Sequence, residues 1–207
     1  MNRSVACASF FLPPWISRRE LARIARATTA ALDALLAQRA PESLDAIRRD
    51  ERVPSRGLAG RRAAMAQAHN ARIAALCGVC GEDGIRLARQ ALFRVGVELG
   101  QEARHALKVR NTERDLLAAA RLLYRILGIR FRAESRGQNR ALVSIDRCAL
   151  SSVYSPEACL ALSAVDEGVV AGLHPGARLR FAERMTEGKA TCQAWLEIRT
   201  GEERHTG

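Results

Sequence analysis

The chain has 207 residues, of which 48% are apolar and 27% charged, so its composition excludes a disordered chain and fits a folded globular protein. The net charge is +11, but it comes almost wholly from scattered arginines, and aromatic residues make up only 4%, which argues against nucleic-acid binding. Because no apolar run approaches the ~20 residues that cross a bilayer, we expect no membrane-spanning segment.

The first half of the chain has the spacing of amphipathic helices. Apolar residues at the 3.6 period predict a helix over residues 17–38, which Pro41 should end, and a second helix over residues 61–76, which should end at Gly78. Residues 48–62 are charged and rich in turn formers, so we expect a mobile connection there.

Two further helices are predicted over residues 83–107 and from Thr112 to Gly128. In the first, Gly96 and Gly100 lie on one face, and each costs about 1 kcal/mol relative to alanine in a helix. We therefore expect another helix to approach this face closely. Thr112 is a good N-cap and Gly128 a good C-terminal cap for the other helix.

After Gly128 the apolar period changes to two. Alternating apolar residues predict a hairpin at residues 129–134 and 141–145 and two more strands at residues 178–185 and 190–199. Between them, a proline at the first helical position predicts a helix from Pro156 to about residue 171. The fold class predicted is α+β, with a helical N-terminal region followed by a helix-flanked antiparallel sheet of about four strands. We expect two parts: a helical N-terminal region at residues 1–80 and an α+β small-molecule-binding domain at residues 81–207. A homodimer is one possible assembly.

The chain has six cysteines. No convincing secretory signal occurs at residues 5–12, so we expect reduced thiols and a cytoplasmic protein. Cys77 and Cys80 form a CxxC pair without a second pair, which favours small packed residues over a zinc or redox site.

Cys148, Cys159 and Cys192 all fall in the C-terminal part, where they could be core residues or line a site. Cys159 is predicted near a helix N-terminus, which should lower its thiol pKa and favour a nucleophile. Asp166 follows two helical turns later on the same face, and His174 lies in the next loop, so either could move protons. Cys192 lies in an apolar strand row, where we expect an inert thiol.

Several of these residues resemble a known family. The residues Cys148, Tyr154, Cys159, Asp166 and Pro175, followed by Gly-Lys-Ala-Thr-Cys-Gln-Ala-Trp at residues 188–195, resemble the L-2-amino-thiazoline-4-carboxylic acid hydrolase-like family. The Gly-Val-Glu-Leu-Gly segment at residues 96–100 is similar to a helix of the related 4-vinyl-reductase ligand-binding domain. The likeness covers residues 87–198.

The resemblance implies a hydrolase that opens a small ring containing sulfur or nitrogen, with Cys159 or Cys148 attacking the ring and Asp166 or His174 transferring protons. It equally admits a non-catalytic sensor that binds a ligand, a metal or a haem in the same pocket. The candidate ligand-binding residues are Tyr154, Glu183, Cys192 and Trp195. The partner expected is a small-molecule substrate; the metal and the cofactor stay unknown.

Overall fold

The computed structural model describes residues 13–50, 57–137 and 139–199, and the stretch at residues 5–12 lies outside them. Five helices come first: α1 Pro14–Arg39, α2 Pro41–Asp50, α3 Leu58–Cys80, α4 Glu82–Leu107 and α5 Glu113–Leu127. The remaining elements are β1 Ile129–Ser135, β2 Arg140–Cys148, α6 Pro156–Leu173, β3 Ala177–Glu183, a 3-10 turn Met185–Glu187 and β4 Cys192–Ile198. The predicted α+β class is confirmed.

The helix ends with strong local signals lie where the sequence predicts them. The Thr112 hydroxyl accepts a hydrogen bond from the Asp115 amide at 3.2 Å, and Gly128 adopts the left-handed conformation, with φ of 73°, that ends α5. The Ser155 hydroxyl accepts from the Ala158 amide at 3.1 Å and caps α6. The hydroxyls of Thr112 and Ser155 each satisfy an amide that the first helical turn leaves without a partner, whereas the Gly128 amide donates to carbonyls of the last turn.

The N-terminal half contains one helix that was not predicted and one with different bounds. Helix α1 ends before Pro41 as expected, but Pro41 is also the first residue of α2, where a proline needs no amide donor. Helix α3 begins earlier than predicted and continues through Gly78 to Cys80, where Gly81 caps it with a φ of 58°. The expected connection at residues 48–62 is therefore helical at both ends, and residues 51–56 lie outside the described part of the chain.

The four strands form one antiparallel sheet in the order β1-β2-β4-β3. Helix α6 connects the hairpin of β1 and β2 to the second pair of strands, as predicted. Alternate residues of the sheet point to one buried face, where they pack with α5 and with parts of α4 and α6. The other face carries the polar residues of each strand.

Helices α4 and α6 pack backbone to backbone through four glycines. Gly96 and Gly100 of α4 contact α6, and Gly168 and Gly172 of α6 contact α4, each so closely that an added Cβ would lie less than 3.0 Å from a backbone carbonyl oxygen. The close helix approach predicted from Gly96 and Gly100 is confirmed. We name this contact the glycine seam.

Two further apolar cores join the N-terminal helices to the rest of the chain. One lies among α1 to α4 and α6, and the other lies where α1 and α3 meet the end of α5 and the loop around Leu150. None of the described helices is both long and apolar enough to cross a membrane.

Candidate functional site

A cavity of about 80 Å³ lies between α1, α3, α6 and the inner face of the sheet. A water molecule needs about 10–15 Å³ on this measure, so the cavity has room for several waters or for a ligand that displaces them. Its lining is mainly apolar, with a few polar groups: Thr28, His69, Cys148, Tyr154, Cys159, Ser163, Asp166, Arg184 and Cys192. Five of the residues predicted for the site meet here: Cys148, Tyr154, Cys159, Asp166 and Cys192.

Asp166 is the carboxyl group of this cavity. Asp166 is partly buried. It lines both this cavity and a smaller apolar cavity of about 30 Å³ under α5. Burial raises the pKa of Asp166 to about 7, and a hydrogen bond with Tyr124 limits the rise. Asp166 can therefore take up and release a proton near neutral pH, as general acid-base catalysis requires.

The three cavity thiols are not activated. Burial raises the pKa of Cys148 to about 11, although backbone amides near it act in the opposite direction. Burial also raises the pKa of Cys159, against the effects of the nearby Thr186 hydroxyl and of Arg184. Burial raises the pKa of Cys192 as well, which agrees with its expected inertness. The expectation of a lowered pKa at Cys159 is wrong, because desolvation in the cavity outweighs the helix N-terminus.

A buried histidine that sequence analysis left without a role forms one wall of the cavity. His69 of α3 is only 1% exposed, and its two ring nitrogens lie 2.8 Å from the hydroxyls of Thr28 and Tyr154. Burial, reinforced by the charge of Arg72, lowers the pKa of His69 to about 3, so the ring is neutral. It links α1, α3 and the loop before α6.

The hydrogen bonds favour one position for the ring proton. The Thr28 hydroxyl lies 2.8 Å from the Ile24 carbonyl, a suitable acceptor for its hydrogen, and its oxygen is then free to accept from His69 Nε2. The other nitrogen, Nδ1, is then an acceptor for the Tyr154 hydroxyl. Asn70, next to His69, fixes the loop that carries Tyr154 by donating to the Val153 carbonyl at 2.7 Å.

Thr28→Val is expected to lower the free energy of unfolding by about 1–3 kcal/mol, because the His69 Nε2 hydrogen would be buried without an acceptor. Urea denaturation at pH 7 measures the change. Thr29→Val, at the next and less buried position of α1, is the matched control and should cost less than about 0.5 kcal/mol. Equal stability of the two variants would mean that the hydrogen bond between Thr28 and His69 does not contribute to stability.

Three of the predicted site residues lie away from the cavity lining. His174 caps α6 at its far end, where its Nδ1 accepts from the Gly176 amide at 3.1 Å, and burial lowers its pKa. Glu183 ends β3 and lies 3.9 Å from the Lys189 amine. Trp195 lies on the outer face of β4, with the guanidinium of Arg140 4.1 Å from its ring centroid. The structure does not bring these residues to Asp166.

Within the described ranges, no group of three His, Cys, Asp or Glu side chains is placed to hold a metal ion. The Cys77 and Cys80 pair lies in the last turn of α3, half-buried, and both thiols are free. Burial raises the pKa of Cys77, with smaller contributions from Glu157 and Cys80.

The model of the family described as L-2-amino-thiazoline-4-carboxylic acid hydrolase matches residues 61–196. The chain belongs to this family. The match runs from α3 to β4, so it includes Asp166, His69 and the three cavity cysteines, whereas α1 and α2 precede it.

One of the solved structures that match has a related fold at low sequence identity. A trafficking protein particle complex subunit 3 from Naegleria fowleri, covalently bound to palmitic acid, is 9% identical with a TM-score of 0.51. The alignment covers 67% of this chain and 95% of that one. The phenol-responsive sensory domain of the transcription activator PoxR, with phenol, is 14% identical with a TM-score of 0.49, over 66% of this chain and 74% of that one. A search of curated proteins gives no match.

Within this member of the L-2-amino-thiazoline-4-carboxylic acid hydrolase family, sequence reasoning missed five polar residues at the cavity or beside it: Thr28, His69, Tyr124, Ser163 and Arg184. Tyr124 lies among the buried residues of α5, and its pKa is raised by burial and by Asp166. His69 and Thr28 are 41 positions apart, so no local spacing connects them. The sequence shows Arg184 only as an arginine near the end of a predicted strand, which does not indicate a buried position.

Proposed function

We propose that this chain is a hydrolase that opens a small ring containing sulfur and nitrogen, such as a 2-amino-thiazoline carboxylate, with Asp166 as the proton-transfer group. The observation that carries the proposal is a buried carboxyl with a pKa of about 7 in an otherwise mostly apolar cavity. The family supplies the class of substrate, and the cavity supplies a position from which one carboxyl can serve as base and then as acid.

The reaction needs one water molecule and no other reactant. Ionised Asp166 accepts a proton from the water while the water oxygen bonds to the ring carbon that lies between nitrogen and sulfur. Protonated Asp166 donates that proton to the ring nitrogen, which gives a neutral tetrahedral intermediate. Asp166 then accepts the proton of the new hydroxyl group and transfers it to the same nitrogen as the ring carbon–nitrogen bond breaks, so the hydroxyl becomes a carbonyl and the nitrogen leaves as an amine. The product carries the atoms of the substrate plus those of one water, and Asp166 returns to its starting state.

This route differs from the thiolate attack that the sequence suggests. A thiol with a raised pKa is mostly protonated at neutral pH and is then a poor nucleophile. Burial acts in this direction at Cys148 and at Cys159. We therefore assign the cysteines to the wall of the cavity and the attack to water.

The test is direct incubation of the purified protein with 2-amino-thiazoline-4-carboxylate, followed by mass spectrometry for a product heavier by one water. Wild type and Cys159→Ser are expected to turn over at rates within about tenfold of each other, since the side chain lines the wall without reacting. Cys77→Ser, outside the cavity, is the matched control. A loss of about a thousandfold or more in Cys159→Ser alone, the scale for removal of a nucleophile, would contradict water attack.

A second candidate is a ligand-sensing module that binds without turnover. The observation that favours it is the largely apolar lining with three protonated thiols, which suits retention of a ligand as well as reaction. The same incubation separates the two: the sensor binds the ring compound and returns it unchanged.

A further inference from the structure

Arg184 is a buried cation on the wall of the cavity. It follows β3 directly, is 8% exposed, and its guanidinium carbon lies 5.5 Å from the centroid of the Phe181 ring. A buried charge is costly unless it is paired and hydrogen-bonded. The partners of Arg184 therefore matter.

Those partners are few and distant. One terminal nitrogen lies 3.3 Å from Glu187, which is partly exposed, and the other lies 3.3 Å from the Ser163 hydroxyl. The third nitrogen, Nε, is buried and has no hydrogen-bond partner. Since a guanidinium offers five donors in a fixed planar arrangement, most of its hydrogen-bonding capacity is unused.

The neighbouring groups do not supply the missing acceptor. The Ser163 hydroxyl donates to the Leu160 carbonyl at 2.8 Å and already accepts from Arg89 at 3.0 Å. Glu167 is engaged by Arg89, whose guanidinium makes two hydrogen bonds to it at 3.0 and 3.1 Å. The cavity thus has an arginine with unused donors on one wall and the Asp166 carboxyl on another.

We infer that Arg184 binds the carboxylate of the ligand, so that this cavity selects small ring compounds that bear a carboxylate. A carboxylate and a guanidinium match in shape and charge and commonly form two parallel hydrogen bonds. The two terminal nitrogens, whose contacts with Glu187 and Ser163 are both 3.3 Å long, offer such a pair of donors, and the unpartnered Nε adds to the unmet hydrogen-bonding capacity of the group. This inference rests on the proposed function for the location of the site, and it adds the group by which the substrate is recognised.

The group proposed to bind the carboxylate and the group proposed to transfer protons lie on different walls of the cavity. Arg184 comes from the sheet side and Asp166 from α6. A ligand whose carboxylate contacts Arg184 would present its ring toward the interior of the cavity, where Asp166 lies. The carboxylate also neutralises a buried positive charge that Glu187 balances only in part.

The experiment measures binding rather than turnover, with two probes that differ only in the charged group: 2-amino-thiazoline-4-carboxylate and 2-amino-thiazoline. Isothermal titration of wild type is expected to show about tenfold to a hundredfold tighter binding of the carboxylate, the scale for hydrogen bonds to a charged group. Arg184→Gln should bind both probes equally. Arg184→Lys should recover only part of the preference, because an ammonium lacks the planar pair of donors.

The matched control is Arg180→Gln, which makes the same change of charge at an exposed arginine of β3, the strand that Arg184 follows, and it should keep the full preference. Thermal melts of all variants without ligand establish folding, and the two-probe comparison in wild type stands even if Arg184→Gln does not fold. Equal binding of the two probes by wild type, or no binding of either, overturns the inference. Preferential binding of the carboxylate without turnover would support the role of Arg184 and reject hydrolysis. Equal turnover of both probes would support hydrolysis and reject the role of Arg184.

Discussion

Asp166→Asn is expected to lower kcat/KM by about a hundredfold to ten-thousandfold, the usual contribution of a general acid-base group. The amide keeps the size and the hydrogen-bonding reach of the carboxyl toward Tyr124 but cannot accept the proton from water. In wild type, kcat/KM should rise with pH through about pH 7, where Asp166 ionises, and the variant should lack this rise. Steady-state kinetics between pH 5 and 9 measures both effects.

Glu157→Gln is the matched control, since it makes the same carboxyl-to-amide change on the exposed first turn of α6. It should keep the wild-type rate and pH profile. An Asp166→Asn protein with at least a tenth of the wild-type rate and an unchanged profile would remove Asp166 from the mechanism.

The same substitution is expected to stabilise the folded protein above neutral pH. The pKa of Asp166 is raised on folding, from 3.8 to about 7, so between these values the folded state holds a proton that the unfolded state has released. The free energy of unfolding therefore falls as pH rises through this window, by up to about 4 kcal/mol for three pKa units. Urea denaturation at pH 5 and pH 8 should show a smaller difference in the variant than in wild type.

His69 changes the free energy of unfolding with pH in the opposite direction to Asp166. The effect of Asp166 is therefore read from the difference between variant and wild type. The pKa of His69 is lowered on folding from 6.5 to about 3, so its neutral ring costs stability progressively as pH falls below about 6.5. This contribution is the same in both proteins and cancels in the difference between them.

Gly96→Ala is expected to lower the free energy of unfolding by about 3 kcal/mol or more, and at the limit to prevent folding. The new methyl group would lie less than 3.0 Å from the Val165 carbonyl oxygen in the glycine seam. Backbone atoms cannot turn aside as a side chain can, so α4 and α6 would have to separate. The gain of about 1 kcal/mol in helix propensity is too small to offset this.

Gly78→Ala provides the control, because Gly78 also lies inside a helix but an added Cβ there meets nothing within 4 Å. That variant should be more stable than wild type by about 0.5–1 kcal/mol. Chemical denaturation of the pair separates crowding from propensity. Similar behaviour of the two alanine variants would mean that the seam tolerates a wider helix separation.

The features that the sequence predicts well have short-range causes. A capping threonine, a left-handed glycine and an alternating strand each depend on a few neighbouring residues, so α5 and the hairpin after it could be placed closely. Pro41 is ambiguous because a proline both ends one helix and begins the next, and the sequence alone did not favour α2. The predicted boundary at residue 80 coincides with the end of α3, but the division into two parts stays a prediction.

The candidate site could be predicted only where one segment supplies it. Asp166 and Cys159 share a face of one helix, whereas His174 lies about 12 Å further along the same axis and so leaves the cavity. Trp195 could have been placed outside from strand parity alone, since Cys192 points inward and residues an odd number away point outward. Arg184 and His69 depend on packing between distant segments, which no local pattern encodes.

The segment that the family model matches does not include the whole lining of the cavity. The match begins at residue 61, but Ile24 and Thr28 of α1 also line the cavity, and Thr28 contacts His69 of α3 through its side chain. Helix α6 is held by the glycine seam and cannot readily shift to admit a larger ligand. We therefore expect relatives that share Asp166 to differ in the size of ligand they accept, according to the side chains that their first helix presents.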